Sequence, residues 1–257
     1  MKIVTDINQW VKLRKSLAKD KSIGVVMTMG TLHKGHLSLV EKSKKENDIT
    51  IVTIFLNPTQ FNNQSDFINY PKTWEEDVDL LENAEVNFLL SPIKEDIYPD
   101  NYNYQLSEKS LSKILCGKSR PGHFDGVLTI VMKLLQLTQA DKAYFGEKDF
   151  QQLYLIKEMA KAFFVPTEII GCPIIRESDG LAFSSRNLRL SEKGREKARI
   201  FAELIKLNKP LKQIEKQLEQ NDIQVDYLEE HFDRRFAAAF IEEVRLIDNF
   251  SLEEVKA

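Results

Sequence analysis

The sequence predicts an α/β protein with a doubly wound parallel sheet and a second, smaller, helix-rich α+β domain. Three observations carry that expectation. Apolar, β-branched runs alternate with helix-like segments up to about residue 176. Runs such as residues 48–56 are apolar on both faces, as strands covered by helices on both sides must be. After Glu177-Ser178-Asp179-Gly180 the composition shifts to Lys, Glu and Arg at helical spacing. The division is therefore expected between a sheet domain over residues 1–176 and a small C-terminal lid over residues 177–257.

In chain order, Ile23-Gly24-Val25-Val26-Met27 reads as a buried strand, and Leu37 to Ser43 as the first turns of a helix. Residues 48–56 read as a central strand. Residues 73–81 form an amphipathic helix, with Thr73 and Glu76 spaced as a capping box. Residues 86–90 read as a strand stopped by Ser91-Pro92. Residues 127–135 are apolar nearly all round, as in a buried helix. Lys142-Ala143-Tyr144-Phe145 is a short strand ended by Gly146, residues 150–163 are helical, and Glu168-Ile169-Ile170 opens another strand. Beyond Ser191, the charges from Glu192 to Lys197 read as a solvated helix face. Val244 to Asp248 reads as one late strand. The alternation points to a Rossmann-like sheet that takes ligands beyond the carboxyl ends of its strands.

Bulk properties exclude several classes. With 257 residues, 42% hydrophobic and 29% charged, the chain has the composition of a globular protein. A formal net charge of -3 disfavours nucleic acid as a partner. No apolar run approaches the roughly 20 residues that span a bilayer, so no membrane partner is expected. Residues 1–6 carry no apolar leader, which suggests the cytoplasm. Cys116 and Cys172 match neither a zinc site nor a disulfide framework and are expected as free thiols.

The motifs lie at the ends of the expected strands. Met29-Gly30-Thr31-Leu32-His33-Lys34-Gly35-His36 joins the first buried strand to a helix N-terminus, whose free N–H groups suit phosphate. Two imidazoles three residues apart there can face one ligand. In Asn57-Pro58-Thr59-Gln60-Phe61, Pro58 fixes a turn and Gln60 presents an amide that suits a hydroxy acid. In Gly146-Glu147-Lys148-Asp149-Phe150-Gln151-Gln152, Asp149 can cap the next helix. Lys148 carries the wrong sign for that helix end unless an anion lies between. Ser184-Ser185-Arg186-Asn187 combines hydroxyls and a guanidinium as a phosphate clamp. Arg120-Pro121-Gly122-His123-Phe124-Asp125-Gly126 is a glycine-rich loop, read as either a lid or a helix-capping turn. Taken singly, each motif also has a plain reading as a turn, a cap or a surface side chain. No P-loop run and no Gly-x-Gly-x-x-Gly fingerprint is present.

Together and in this order, these motifs resemble those of the pantoate–beta-alanine ligases, over most of residues 23–191. Arg245-Leu246-Ile247-Asp248-Asn249 resembles the family's final strand. The resemblance implies an AMP-forming ligase of the nucleotidyltransferase superfamily. Pantoate would attack the α-phosphorus of ATP, and beta-alanine would then displace AMP from pantoyl adenylate to give pantothenate. It also implies the site. ATP would be bound by Met29, Gly30, Thr31, Leu32, His33, Lys34, Gly35, His36, Gly146, Glu147, Lys148, Asp149, Ile175, Phe183, Ser184, Ser185 and Arg186. His33, His36 and Lys148 would be catalytic, and Gln60 and Gln152 would hold pantoate, with Gln60 also close to beta-alanine. Mg2+ would accompany the pyrophosphate portion of ATP, on protein ligands left unassigned. Lys148, His33, His36, Arg186 and the metal would supply a positive field. A homodimer is expected on the same ground.

Two positions depart from the family pattern: Met27 stands in place of a usual proline and Phe183 in place of a methionine. Both are apolar, so altered affinity is expected rather than lost activity. The segment 206–240 looks shorter than the family's small domain. Other readings are an adenylyltransferase of the same superfamily, an RNA-binding synthetase-like fragment and a nucleotide-sensing module. Gln60 and Gln152 oppose the first, the acidic balance the second, and retention of every motif the third.

Overall fold

Ten residues alternate between two hydrophobic cores, and that alternation sets the architecture. The computed structural model describes residues 1–256, with the backbone alone described for Lys256. Its elements run β1 (Lys2–Val4), α1 (Ile7–Ser16), β2 (Ile23–Thr28), α2 (Lys34–Glu46), β3 (Ile49–Ile54), α3 (Gln64–Ile68), α4 (Trp74–Asn83) and β4 (Phe88–Leu90). There follow α5 (Lys94–Ile97), α6 (Cys116–Ser119), α7 (His123–Thr138), β5 (Lys142–Gly146), α8 (Phe150–Ala162) and β6 (Glu168–Cys172). The last part contains α9 (Glu192–Ile205), α10 (Leu211–Gln220), β7 (Gln224–His231), β8 (Arg234–Ile241), β9 (Val244–Ser251) and α11 (Leu252–Lys256).

The six-stranded sheet has the order β1-β4-β3-β2-β5-β6 and is parallel throughout. Val4, Val25, Ile51, Leu90 and Ala143 enter one core, with α1, α7 and α8. Their neighbours Val26, Val52, Leu89, Tyr144 and Cys172 enter the other, with α2 and α4. Successive strand residues point to opposite faces, so a run that is apolar throughout must be covered twice. After β2 the chain winds outward through β3 and β4, then returns on the far side of β2 as β5. The switch point between β2 and β5 opens a crevice at the carboxyl end of the sheet.

The remaining strands form a three-stranded antiparallel sheet, β7-β8-β9, which shares a third core with α9 and α10. The sequence reading found one strand here, and the structure has three. The run Arg234–Ile241 contains Ala237-Ala238-Ala239, which has low strand propensity but no room for larger side chains: all three are fully buried.

Local starts and stops differ in three further places. The Thr73–Glu76 capping box does not form. Thr73 is the N-cap residue of α4, but its hydroxyl donates to the Asp77 carboxylate at 3.2 Å. Asp149 precedes α8 without a side-chain capping bond. Helices α2 and α7 begin at Lys34 and His123, earlier than their apolar runs suggest. The glycine-rich loop is a helix-capping turn, with Gly122 in the left-handed conformation (φ 80°) before His123.

Candidate active site

Four loops leave the carboxyl ends of β2, β3, β5 and β6, which are consecutive neighbours in the sheet. Their convergence follows from strand order alone. Between them lies a cavity of 250 Å³, lined among others by Met29, His33, Gly35, His36, Gln60, Gly146, Lys148, Asp149, Gln152, Ile175, Phe183, Ser184, Ser185 and Arg186. The expected site residues Gly30, Thr31, Leu32, Lys34 and Glu147 are not on that wall. Gly30, Thr31 and Leu32 are buried beneath it, and Lys34 is exposed. Glu147 faces Arg234 at 3.6 Å.

The first loop is held from below. Asp77 on α4 is 2% exposed and accepts from the backbone N–H groups of Thr31 (2.8 Å) and Leu32 (2.6 Å). Gly30 has φ +84°, and a Cβ there would lie 3.0 Å from the Asp77 carboxylate. This anchoring turns the chain so that His33 becomes the N-cap residue of α2, with its Nδ1 accepting from the Gly35 N–H at 3.2 Å. A neutral His33 that accepts at Nδ1 carries its proton on Nε2, which makes that nitrogen the donor.

His36 sits in the first turn of α2, its ring centroid 4.0 Å from that of His33, and its Nδ1 is buried without a partner among the described residues. Burial, then Lys148, lowers the pKa of His33 to about 4, against the opposing pull of Asp149 and Glu177. Burial, then His33 and Lys148, lowers that of His36 to about 3. The unliganded site therefore holds two neutral imidazoles. The positive field expected from them resides instead in Lys148 and the guanidinium groups, and the imidazoles are available as hydrogen-bond donors.

The second loop forms a 3-10 turn, Pro58–Gln60. Buried Asn57 donates to the Gln60 side-chain oxygen at 3.0 Å and accepts from Tyr98 Oη at 2.8 Å. That contact fixes the amide with its nitrogen on the cavity side, where it donates to the Met29 sulfur at 3.1 Å. From beneath, His123 Nδ1 donates to the Gln60 main-chain oxygen at 2.8 Å, and Arg120 reaches the same oxygen at 3.2 Å. The sequence reading missed the roles of Asn57, Arg120 and His123. The available signals are the Asn57-Pro58 start of the second motif and the Arg120 to Gly126 stretch, both of which read equally well as turns.

In the third loop, Lys148 is 4.0 Å from Asp149. Asn249 of β9 donates to the main-chain oxygens of Glu147 and Lys148, at 3.0 Å each, so the small sheet clamps this loop from behind. The fourth loop carries Phe183, whose ring stacks on His33 with centroids 5.9 Å apart. Arg186 is not free here. It pairs with Asp66 of α3 at 2.9 Å, and Arg189 holds the other oxygen of that carboxylate at 3.1 Å. Burial acts to raise the pKa of Asp66, but Arg186 and Arg189 outweigh it and hold the carboxyl below its ordinary value.

Comparison with known proteins places this geometry among relatives. A family model described as pantoate-beta-alanine ligase matches residues 2–251. The pantothenate synthetase of Legionella pneumophila (strain Corby) is 49% identical over 252 residues, covering 98% of this chain and 100% of that protein. That of Coxiella burnetii (strain Dugway 5J108-111) is 46% identical over 255 residues, covering 99% and 98%. Among solved structures, the pantoate-beta-alanine ligase of Francisella tularensis, in complex with beta-gamma ATP and beta-alanine, matches with a TM-score of 0.95 and 44% identity. That match covers 98% of each chain.

Proposed function

The chain belongs to the pantoate–beta-alanine ligase family, and from that premise we propose that it condenses pantoate with beta-alanine at the expense of ATP, releasing AMP and pyrophosphate. The observation that carries the reading is a single cavity wall. On it, two neutral imidazoles and Lys148 face Gln60 and Gln152, so that a phosphate site adjoins a polar site for a small acid.

The residues suit two sequential displacements. A pantoate carboxylate oxygen attacks the α-phosphorus, and the bond to the pyrophosphate oxygen breaks. Gln60, oriented by Asn57, and Gln152 hold the acid. His33 and His36 donate to the phosphates, and Lys148 offsets charge on the departing group. The amine nitrogen of beta-alanine then attacks the acyl carbon, the bond to AMP breaks and the amine proton is released. No enzyme nucleophile is needed, because the chemistry is the alignment of anions that repel in water. Arg186 exchanges Asp66 for a phosphate when the nucleotide binds.

Magnesium fits this donor set. Asp149 is the one carboxylate among the described lining residues, and no described group of three or more His, Cys, Asp or Glu forms a cage. Asp149 would be the residue of this wall that contacts such an ion. When bound, the ion would supply charge neutralisation at the leaving pyrophosphate. No helix among the described residues is long and apolar enough to cross a membrane. A homodimer in the cytoplasm, with residues 177–257 as a lid, completes the proposal.

Pyrophosphate–ATP exchange across a panel of small acids tests it. Exchange is expected with pantoate alone, and amide product only once beta-alanine is added. Exchange with another acid and none with pantoate would overturn the assignment.

A further inference from the structure

Arg120 is a cation on the cavity wall for which the two displacements provide no task. It is not paired with any carboxylate among the described residues: Asp66 is taken by Arg186 and Arg189, and Asp226 by Arg245. Its two contacts are neutral. One is the Gln60 main-chain oxygen at 3.2 Å; the other is His123 Nε2 at 3.0 Å. His123 Nδ1 donates to the same Gln60 oxygen, so Nε2 accepts from Arg120 and aims the guanidinium. The remaining N–H groups of the fork are unspent. Burial, with Arg186 next, pushes this guanidinium down to about 10 against the opposing pull of Cys116 and Asp66.

Arg120 also borders a side recess of 40 Å³, which shares Lys148, Asp149 and Gln152 with the main cavity and is lined as well by Cys116, Tyr227 and Asn249. Two carboxylates enter the proposed reaction, and they differ in fate. That of pantoate is consumed and must lie at the α-phosphorus. That of beta-alanine stays anionic throughout and needs a permanent cationic partner away from the phosphates.

We propose that Arg120 receives the carboxylate of the amine substrate, with the side recess taking that end of the molecule. Arg120 is thereby the residue that selects amines bearing an acid group. The inference rests on the ligase reading above and deepens it.

The test compares beta-alanine with its neutral analogue beta-alaninamide. In the unmodified enzyme, kcat/KM for amide formation is expected to fall on the order of a hundredfold or more with the analogue, since its loss leaves the guanidinium unpaired. In Arg120→Met, the KM for beta-alanine rises by a similar factor and the preference collapses to within a few-fold; Arg120→Lys recovers part of both. Pantoate-dependent pyrophosphate exchange needs no amine, so in Arg120→Met exchange falls only by as much as the lost Gln60 contact loosens the pantoate turn, which His123 still holds, and by far less than amide formation at low beta-alanine. Equal use of the two amines by the unmodified enzyme would overturn the proposal, even if the methionine variant fails to fold. An unchanged KM for beta-alanine in Arg120→Met would also overturn it, as would loss of exchange in proportion to overall activity. Absence of pantoate-dependent exchange in the unmodified enzyme would instead remove the ligase reading itself.

Discussion

The roles proposed for His33 and His36 depend on their being uncharged. An imidazolium with its centroid 4.0 Å from a second ring and beside Lys148 would be disfavoured, and burial removes the water that could stabilise it. Neutral rings can still donate to developing phosphate charge. Replacement of His36 or Lys148 by alanine is expected to lower turnover by on the order of a hundredfold, by analogy with other charge-stabilising donors. Initial rates at saturating substrates check this, and wild-type-like rates would remove the roles. His123 makes the same physics visible in stability. It is 7% exposed, and burial, then Arg120, lowers its pKa to about 3. Between that value and the ordinary 6.5, the unfolded chain binds a proton that the folded chain does not. This contribution to stability is therefore present in full above pH 6.5 and is lost as pH falls. For one such group the loss is about 2 kcal/mol by pH 5. Urea titrations at pH 7 and pH 5 should show a drop that is smaller by that amount in His123→Asn.

Among the elements, α7 acts as the platform for the Pro58–Gln60 turn, the proposed acid site. Gly126 lets this helix approach so closely that a Cβ there would lie 2.5 Å from the Thr59 oxygen and 2.7 Å from the Gln60 nitrogen. Both atoms belong to backbone and cannot rotate away. Gly126→Ala should force α7 and the Pro58–Gln60 turn apart, costing about 1–3 kcal/mol and raising the KM for pantoate more than that for ATP. Urea midpoints and substrate titrations separate the two effects. Helix α4 plays the matching part under the loop after β2. Its buried Asp77 accepts from backbone N–H groups instead of a cation, so the loop's position depends on an element 46 residues away in sequence.

The molecule as a whole is a parallel sheet whose carboxyl end is braced by a second sheet. Asn249 on β9 holds the Lys148 loop through two main-chain oxygens, and Arg176 reaches back to Asp248 with contacts of 2.7 and 3.0 Å. Asn249→Ala should loosen the lysine without touching substrate, lowering kcat by on the order of tenfold to a hundredfold. Comparison of kcat with far-UV circular dichroism distinguishes this from unfolding. The sequence by itself determined the alternation of strands and helices, the four motif loops and the family. Those features depend on period-two and period-3.6 burial and on local turn chemistry, which neighbouring residues record. Only the tertiary structure decided that Asp77 anchors Thr31 and Leu32, that Asp66 occupies Arg186, that His33 and His36 are neutral and that β9 clamps the Lys148 loop. Each of these is a contact between segments distant along the chain, and burial and partner choice exist only once the strand order has brought them together.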